Sequence, residues 1–141
     1  MKREPTKAAK APQPNAPTVL VVDDEPSICR ALSIALSRCG YHALPAESGE
    51  QAERLLRERR VDAMLVDLRI PDVRGDVLFH TAVSLQPHLV HRTLFLTGDV
   101  TPRARSLTDA CGCPVIGKPF ELSDVMGFVQ RVAPLRESAS A

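Results

Sequence analysis

The reactive side chains of this chain collect at stops that follow short apolar runs. The run 19–22 leads into Asp23-Asp24-Glu25 and the run 63–66 into Asp67. The run 93–96 leads into Thr97-Gly98-Asp99, and Val115-Ile116 leads into Gly117-Lys118-Pro119. Carboxylates bind hard cations, a hydroxyl can donate to an anion, and an ammonium can neutralise one. Gly112 with Gly117-Lys118 also matches the first seven positions of the phosphate-binding loop G-x-x-x-x-G-K. That loop requires Ser or Thr next, to hold magnesium, and a flexible glycine-rich cradle before it. Here the next residue is Pro119, and the intervening Cys-Pro-Val-Ile reads as a strand. Lys118 therefore needs an anionic partner other than a nucleotide.

The elements that must position these residues follow from the hydrophobic pattern. The four apolar runs are short and continuous, as in strands buried on both faces of a parallel sheet. A weaker strand at 42–46 contains Pro45, which cannot donate to a ladder and so belongs at an edge. Amphipathic segments alternate with the strands. In the first, Ile28, Leu32, Ala35, Leu36 and Cys39 recur at helical spacing, ending at Cys39-Gly40. Others span about 48–59, 75–85, 102–111 and 122–132, the last with Leu122, Val125, Phe128, Val129 and Val132 on one side. Strand then helix, repeated, with right-handed crossovers, gives an open α/β sheet covered on both faces.

Ligands of such sheets bind outside the carboxyl ends of the strands. The acids, Thr97 and Lys118 all stand at those ends. Crowding Asp23, Asp24 and Asp67 resists joint ionisation unless a cation is present. All-oxygen donors suit magnesium rather than zinc, with manganese a second candidate. Thr97 and Lys118 could then hold oxygens of a phosphoryl group carried by Asp67. Each residue also has a purely structural use. Asp24 before Glu25-Pro26 suits a helix N-cap, Thr97 could satisfy a loop amide, and Lys118 could simply neutralise the acids. Five such residues at matching strand ends favour a shared site.

With 141 residues, 44% apolar and 25% charged, the chain has the size and balance of one globular domain. Its net charge is +1. Lys2, Arg3, Lys7 and Lys10 against Glu4 place the basic excess in the first seventeen residues, a proline- and alanine-rich leader expected to be a disordered tail. The remainder, a domain expected at 18–134 followed by a flexible tail at 135–141, has no basic surplus for a nucleic-acid backbone. No run is long enough to span a bilayer and the leader lacks a signal's apolar centre, so a cytoplasmic location is expected. Cys29, Cys39, Cys111 and Cys113 lack zinc-type spacing and read as reduced thiols. His42, His80, His88 and His91 are scattered.

Together, "VLVVDDEP", "LVDLRIPDVRG", "FLTGD" and "GKPF" make the chain resemble the receiver domain of bacterial two-component response regulators, over about 18–132. The resemblance implies a flavodoxin-like (βα)5 doubly wound parallel sheet of strand order 2-1-3-4-5. It implies that Asp67 is the phosphoacceptor, attacking phosphorus as a carboxylate nucleophile. Asp24 and Asp67 would bind magnesium directly, Asp23 mainly through water, and the Arg69 carbonyl would add a backbone ligand. Thr97, Gly98 and Lys118 would hold the phosphoryl group, and the Lys118–Pro119 bond would be cis. The partners implied are a histidine kinase or phosphotransfer protein as donor and a downstream protein as target, with water resetting the aspartyl phosphate.

One departure stands out: receivers usually carry Tyr or Phe where this chain has Val115, so the usual output switch is missing. We expect Arg69 and Asp99 to pair across the site and screen attacking water. An aspartate-nucleophile phosphohydrolase would need a second Asp two residues after Asp67, where Arg69 stands. A receiver-fold interaction module that signals without phosphorylation is the alternative that Val115 keeps open. The few residues after the last helix suggest that no effector domain is attached, in a stand-alone receiver or a receiver cut from a hybrid kinase. Ser27, Ala31, Ile34 and Arg38 share a helix face, with Ala31 and Ile34 as candidate docking residues for the donor.

Overall fold

The computed structural model describes residues 12–135, and the leader and tail expected at the ends lie largely outside them. Five strands alternate with five helices: β1 Thr18–Val22, α1 Pro26–Arg38, β2 His42–Ala46, α2 Gly49–Glu58, β3 Ala63–Asp67, α3 Gly75–Leu85, β4 Thr93–Thr97, α4 Pro102–Cys111, β5 Val115–Gly117 and α5 Leu122–Val132. A 3₁₀ turn, Pro87–His91, joins α3 to β4. All strands are parallel, in the order β2-β1-β3-β4-β5. This is the flavodoxin-like arrangement that the family resemblance implied.

Alternation along the strands divides the core in two. Leu20, Val22, Met64, Val66 and Phe95 face α2, α3 and α4, packing on Ala52, Leu56, Leu78, Phe79 and Ala104. Val19, Val21, Leu65, Leu94 and Leu96 face α1 and α5, packing on Leu32, Leu36, Val125, Phe128 and Val129. Each such Val, Leu or Phe contributes roughly 1.5–3 kcal/mol by leaving water. Pro45 sits on the edge strand β2, opposite Val21, where its missing N–H disturbs only one ladder.

Local chemistry sets the helix ends. In α2, Ser48 Oγ accepts from the Gln51 amide at 3.1 Å, and Gln51 Oε1 accepts from the Glu47 amide at 3.0 Å. In α4, Thr101 is the N-cap, Pro102 follows at the first helical position, and Gly112 stops the helix with φ +72°.

Three expectations need correction. Asp24 does not cap α1: the N-cap is Glu25, which makes no side-chain capping bond, because the helix begins at Pro26. The β5 strand is not buried on both faces. It is the other sheet edge, and Val115 is 42% exposed. Leu122 is also exposed rather than part of the α5 stripe, since it lies in the helix's first turn; Met126 is buried in the same core. Among the described residues no helix is long and apolar enough to cross a membrane.

Candidate functional site

Strand ends bring the reactive residues together. Asp23 follows β1 directly and is held by its amide on the Ala46 carbonyl, 3.1 Å away. Asp67 is the last residue of β3, and both carboxylates are buried. The Lys118 amide donates to the Thr97 carbonyl at 2.8 Å, which fixes the lysine beside the end of β4. From there Lys118 Nζ donates to Asp23 Oδ2 at 2.8 Å, Asp67 Oδ2 at 3.0 Å and Glu25 Oε1 at 3.1 Å. The Lys118–Pro119 peptide is cis. Asp24 is exposed, and one carboxylate oxygen from each of Asp23, Asp24 and Asp67 lies within 4.8 Å of the others.

The remaining bonds define what each atom has left to offer. Asp67 Oδ1 accepts from the Arg69 amide at 3.1 Å, and Asp23 Oδ1 accepts from the Glu25 amide at 2.9 Å. Thr97 is buried, and its Oγ1 accepts from the Asp99 amide at 2.9 Å. Among the described hydrogen bonds Thr97 only accepts, so its proton is free for an anion. Burial pushes the Asp67 carboxyl above its ordinary range; the Arg69 amide and Lys118 pull against this, and Asp23 adds to it. Burial alone would lower the Lys118 ammonium, but the hydrogen bonds it donates to Asp23, Asp67 and Glu25 outweigh this and hold the group above the usual lysine range. The site thus keeps a charged lysine among acids. It has oxygen donors spaced for a hard divalent ion and an excess of negative charge for one to offset.

Arg69 and Asp99 do pair beside this cluster: Arg69 Nη2 lies 2.9 Å and Nε 3.0 Å from Asp99 Oδ2. Asp99 Oδ1 accepts from the Thr101 amide at 3.0 Å. That bond, the Thr101 hydroxyl and then Arg69 hold the Asp99 carboxyl at about 2.

Gly98 is not forced by packing, since a Cβ there would meet only Lys118 Cβ at 4.0 Å. Val115 lines a groove of about 470 Å³ between α4 and β5, together with Thr97, Ala104 and Thr108. Ala31 and Ile34 are exposed on α1, with Ile34 48% accessible. All four cysteines are free. Burial raises the Cys29 thiol to about 11 and the Cys113 thiol to about 12, so neither is a reactive thiolate.

Sequence reasoning missed three contributors. Glu25 is the lysine's third partner, and only its place beside the acidic pair hinted at it. Asp72, in the loop after β3, accepts from the Gly49 and Glu50 amides at 2.9 Å each and so pins that loop to the start of α2. A Cβ on Gly75 would lie 2.5 Å from the Asp67 carbonyl oxygen, so only glycine lets α3 start this close to the acceptor strand.

The family model for the response regulator receiver domain matches residues 19–130. The chain belongs to this family. The receiver is 35% identical over 126 residues to the transcriptional regulatory protein KdpE of Mycobacterium tuberculosis, covering 87% of this chain and 53% of that protein. It is 28% identical to the response regulator receiver protein CpdR of Brucella abortus, covering 81% of this chain and 94% of CpdR. The chain spans about half the length of KdpE and of the Mycobacterium tuberculosis regulator TcrX. Among solved structures, the receiver superposes on the chemotaxis protein CheY4 of Vibrio cholerae with a TM-score of 0.74 at 27% identity, covering 83% of this chain and 98% of that one. It also superposes on a CheY-like receiver from Methanospirillum hungatei with a TM-score of 0.77 at 21% identity, covering 83% and 93%, a likeness of fold.

Proposed function

We propose that this receiver is a phosphoacceptor signalling domain in which Asp67 takes a phosphoryl group from a histidine kinase or phosphotransfer protein. The observation that carries the reading is Lys118, whose ammonium joins buried Asp23 and buried Asp67 within the Asp23–Asp24–Asp67 oxygen cluster. A solved response regulator from Burkholderia pseudomallei, 25% identical to this chain with a TM-score of 0.73, carries a phosphorylated aspartic acid and a calcium ion.

In the proposed reaction a carboxylate oxygen of Asp67 attacks phosphorus in line. The P–N bond to the donor imidazole breaks, and its electron pair stays on the ring nitrogen. Lys118 turns one of its N–H donors onto a phosphoryl oxygen, and the Thr97 hydroxyl donates a hydrogen bond to another. The Gly98 backbone lines the same face. Asp24 and Asp67 would hold magnesium, or manganese, directly, with Asp23 through water and the Arg69 carbonyl as a backbone ligand. Such an ion supplies neutralisation of the phosphoryl charge. Water later cleaves the acyl phosphate, and the Arg69–Asp99 pair limits its approach. The domain acts in the cytoplasm, uses the Ala31–Ile34 face of α1 for its donor, and serves a protein target rather than nucleic acid.

Intact-mass spectrometry after incubation with magnesium and a small phosphodonor, or with phosphorylated kinase, tests this. A single adduct is expected, absent in Asp67→Asn. Continuous phosphate release without adduct would mark a hydrolase. No reaction with any donor would mark the interaction module that Val115 keeps open.

A further inference from the structure

Lys118 has three N–H donors, and each is directed at a different carboxylate: Asp23 at 2.8 Å, Asp67 at 3.0 Å and Glu25 at 3.1 Å. The first two acids are buried, whereas the Glu25 side chain is 57% exposed. Nothing in the fold requires that side chain. It stands at the N-cap of α1 but makes no capping bond, and Pro26 fills the first helical position. The Glu25 amide, bonded to Asp23 Oδ1 at 2.9 Å, fixes the backbone so that the carboxylate reaches back over the ammonium.

We infer that Glu25 is a positioning residue that gates Lys118: it occupies the ammonium's third donor in the unphosphorylated protein and must leave before a phosphoryl oxygen can be bound. This rests on the reading of Asp67 as phosphoacceptor and adds a brake to it. An incoming phosphoryl group is an anion that needs at least one lysine donor. Asp23 and Asp67 cannot release theirs cheaply, because a buried carboxylate stripped of its cation is costly. Glu25 can turn into water at little cost, as exposed ion pairs are weak. Until it turns, its charge also repels the donor at the entrance to the site. The brake is therefore electrostatic and shallow, and it depends on salt.

The test is the rate of Asp67 phosphorylation by acetyl phosphate at saturating magnesium, in the full chain and in Glu25→Ala and Glu25→Gln. Glutamine keeps the length and removes the charge. Both variants are expected to react about two- to fivefold faster than wild type at low ionic strength, the range an exposed ion pair commands. The ratio should fall toward one as salt is raised, which a merely structural change would not produce. Equal rates at low salt in either variant, or a gain that salt does not reduce, overturns the inference while leaving the acceptor role standing. No adduct on wild type overturns both.

Discussion

Gly75 links the fold to the chemistry, and Gly75→Ala tests that link. An added Cβ would lie 2.5 Å from the Asp67 carbonyl oxygen, 2.9 Å from Leu68 Cα and 3.2 Å from the Asp67 carbonyl carbon. All three neighbours are backbone, so no side chain can swing away. Reaching an ordinary 3.4 Å contact requires about 0.9 Å of separation between α3 and the end of β3. Overpacking of this kind costs about 1–3 kcal/mol. Replacing a helical glycine by alanine returns roughly 0.5–1 kcal/mol. The net loss is about 0–2.5 kcal/mol, or up to about 10 °C in Tm for a domain of this size. Activity should suffer more. The shift falls on the backbone that aims the Asp67 carboxylate, and a 1 Å misplacement can cost about 100-fold. We expect phosphorylation to slow by about 10- to 100-fold, followed by intact mass over time, while circular dichroism still shows a folded protein at 25 °C. Gly127→Ala is the control: a Cβ there meets nothing within 4 Å, so it should leave the rate unchanged and hold or raise Tm. If Gly75→Ala phosphorylates within twofold of wild type, the strand end does not depend on that close approach.

Arg69→Ala should shorten the aspartyl-phosphate half-life severalfold, since it opens the side of the site that the Arg69–Asp99 pair covers; an unchanged half-life would remove the screening role. Asp99 has a folded pKa depressed to about 2. Its contribution to stability is therefore complete above the unfolded value of about 3.9 and lost as pH falls toward 2. A carboxyl NMR titration of Asp99 should find a midpoint near 2, rising in Arg69→Ala. Tyr41→Phe deletes a buried hydroxyl that donates to the Ala133 carbonyl at 2.9 Å. It should cost about 1–3 kcal/mol in urea melts without altering phosphorylation, because Tyr41 lies at the end of the sheet opposite Asp67.

The legible parts of the sequence were those governed by one strong local rule. Continuous apolar runs gave the strands, Gly112 gave the end of α4, and Pro45 gave an edge. The site was legible because a parallel sheet delivers every strand's carboxyl end to one rim. Naming the first polar residue after each run therefore named Asp23, Asp67, Thr97 and Lys118. What failed depended on neighbours distant in sequence. Whether Val115 is buried depends on whether anything pairs beyond β5, and Leu122 is exposed because the first turn of α5 lies outside the packed stripe. Asp72 reaches the start of α2 across more than twenty residues, and Glu25 reaches Lys118 across 93. No local pattern encodes either contact.

Position 115 holds valine rather than an aromatic ring, and a run of hydrogen bonds links the end of β4 to α4 by another route. Thr97 Oγ1 accepts from the Asp99 amide at 2.9 Å, Asp99 Oδ1 accepts from the Thr101 amide at 3.0 Å, and Thr101 Oγ1 accepts from the Ala104 amide at 3.2 Å. Ala104 is buried against the α2–α3 side of the core. These bonds run without a gap from the hydroxyl at the end of β4 to the N-cap that starts α4. A displacement of Thr97 would bear on the first turn of α4 through these short, directional contacts, with Arg69 attached at Asp99 along the way. The smaller side chain at position 115 leaves α4 hydrogen-bonded to the site, because the connection runs through a helix cap and not through a side chain on β5.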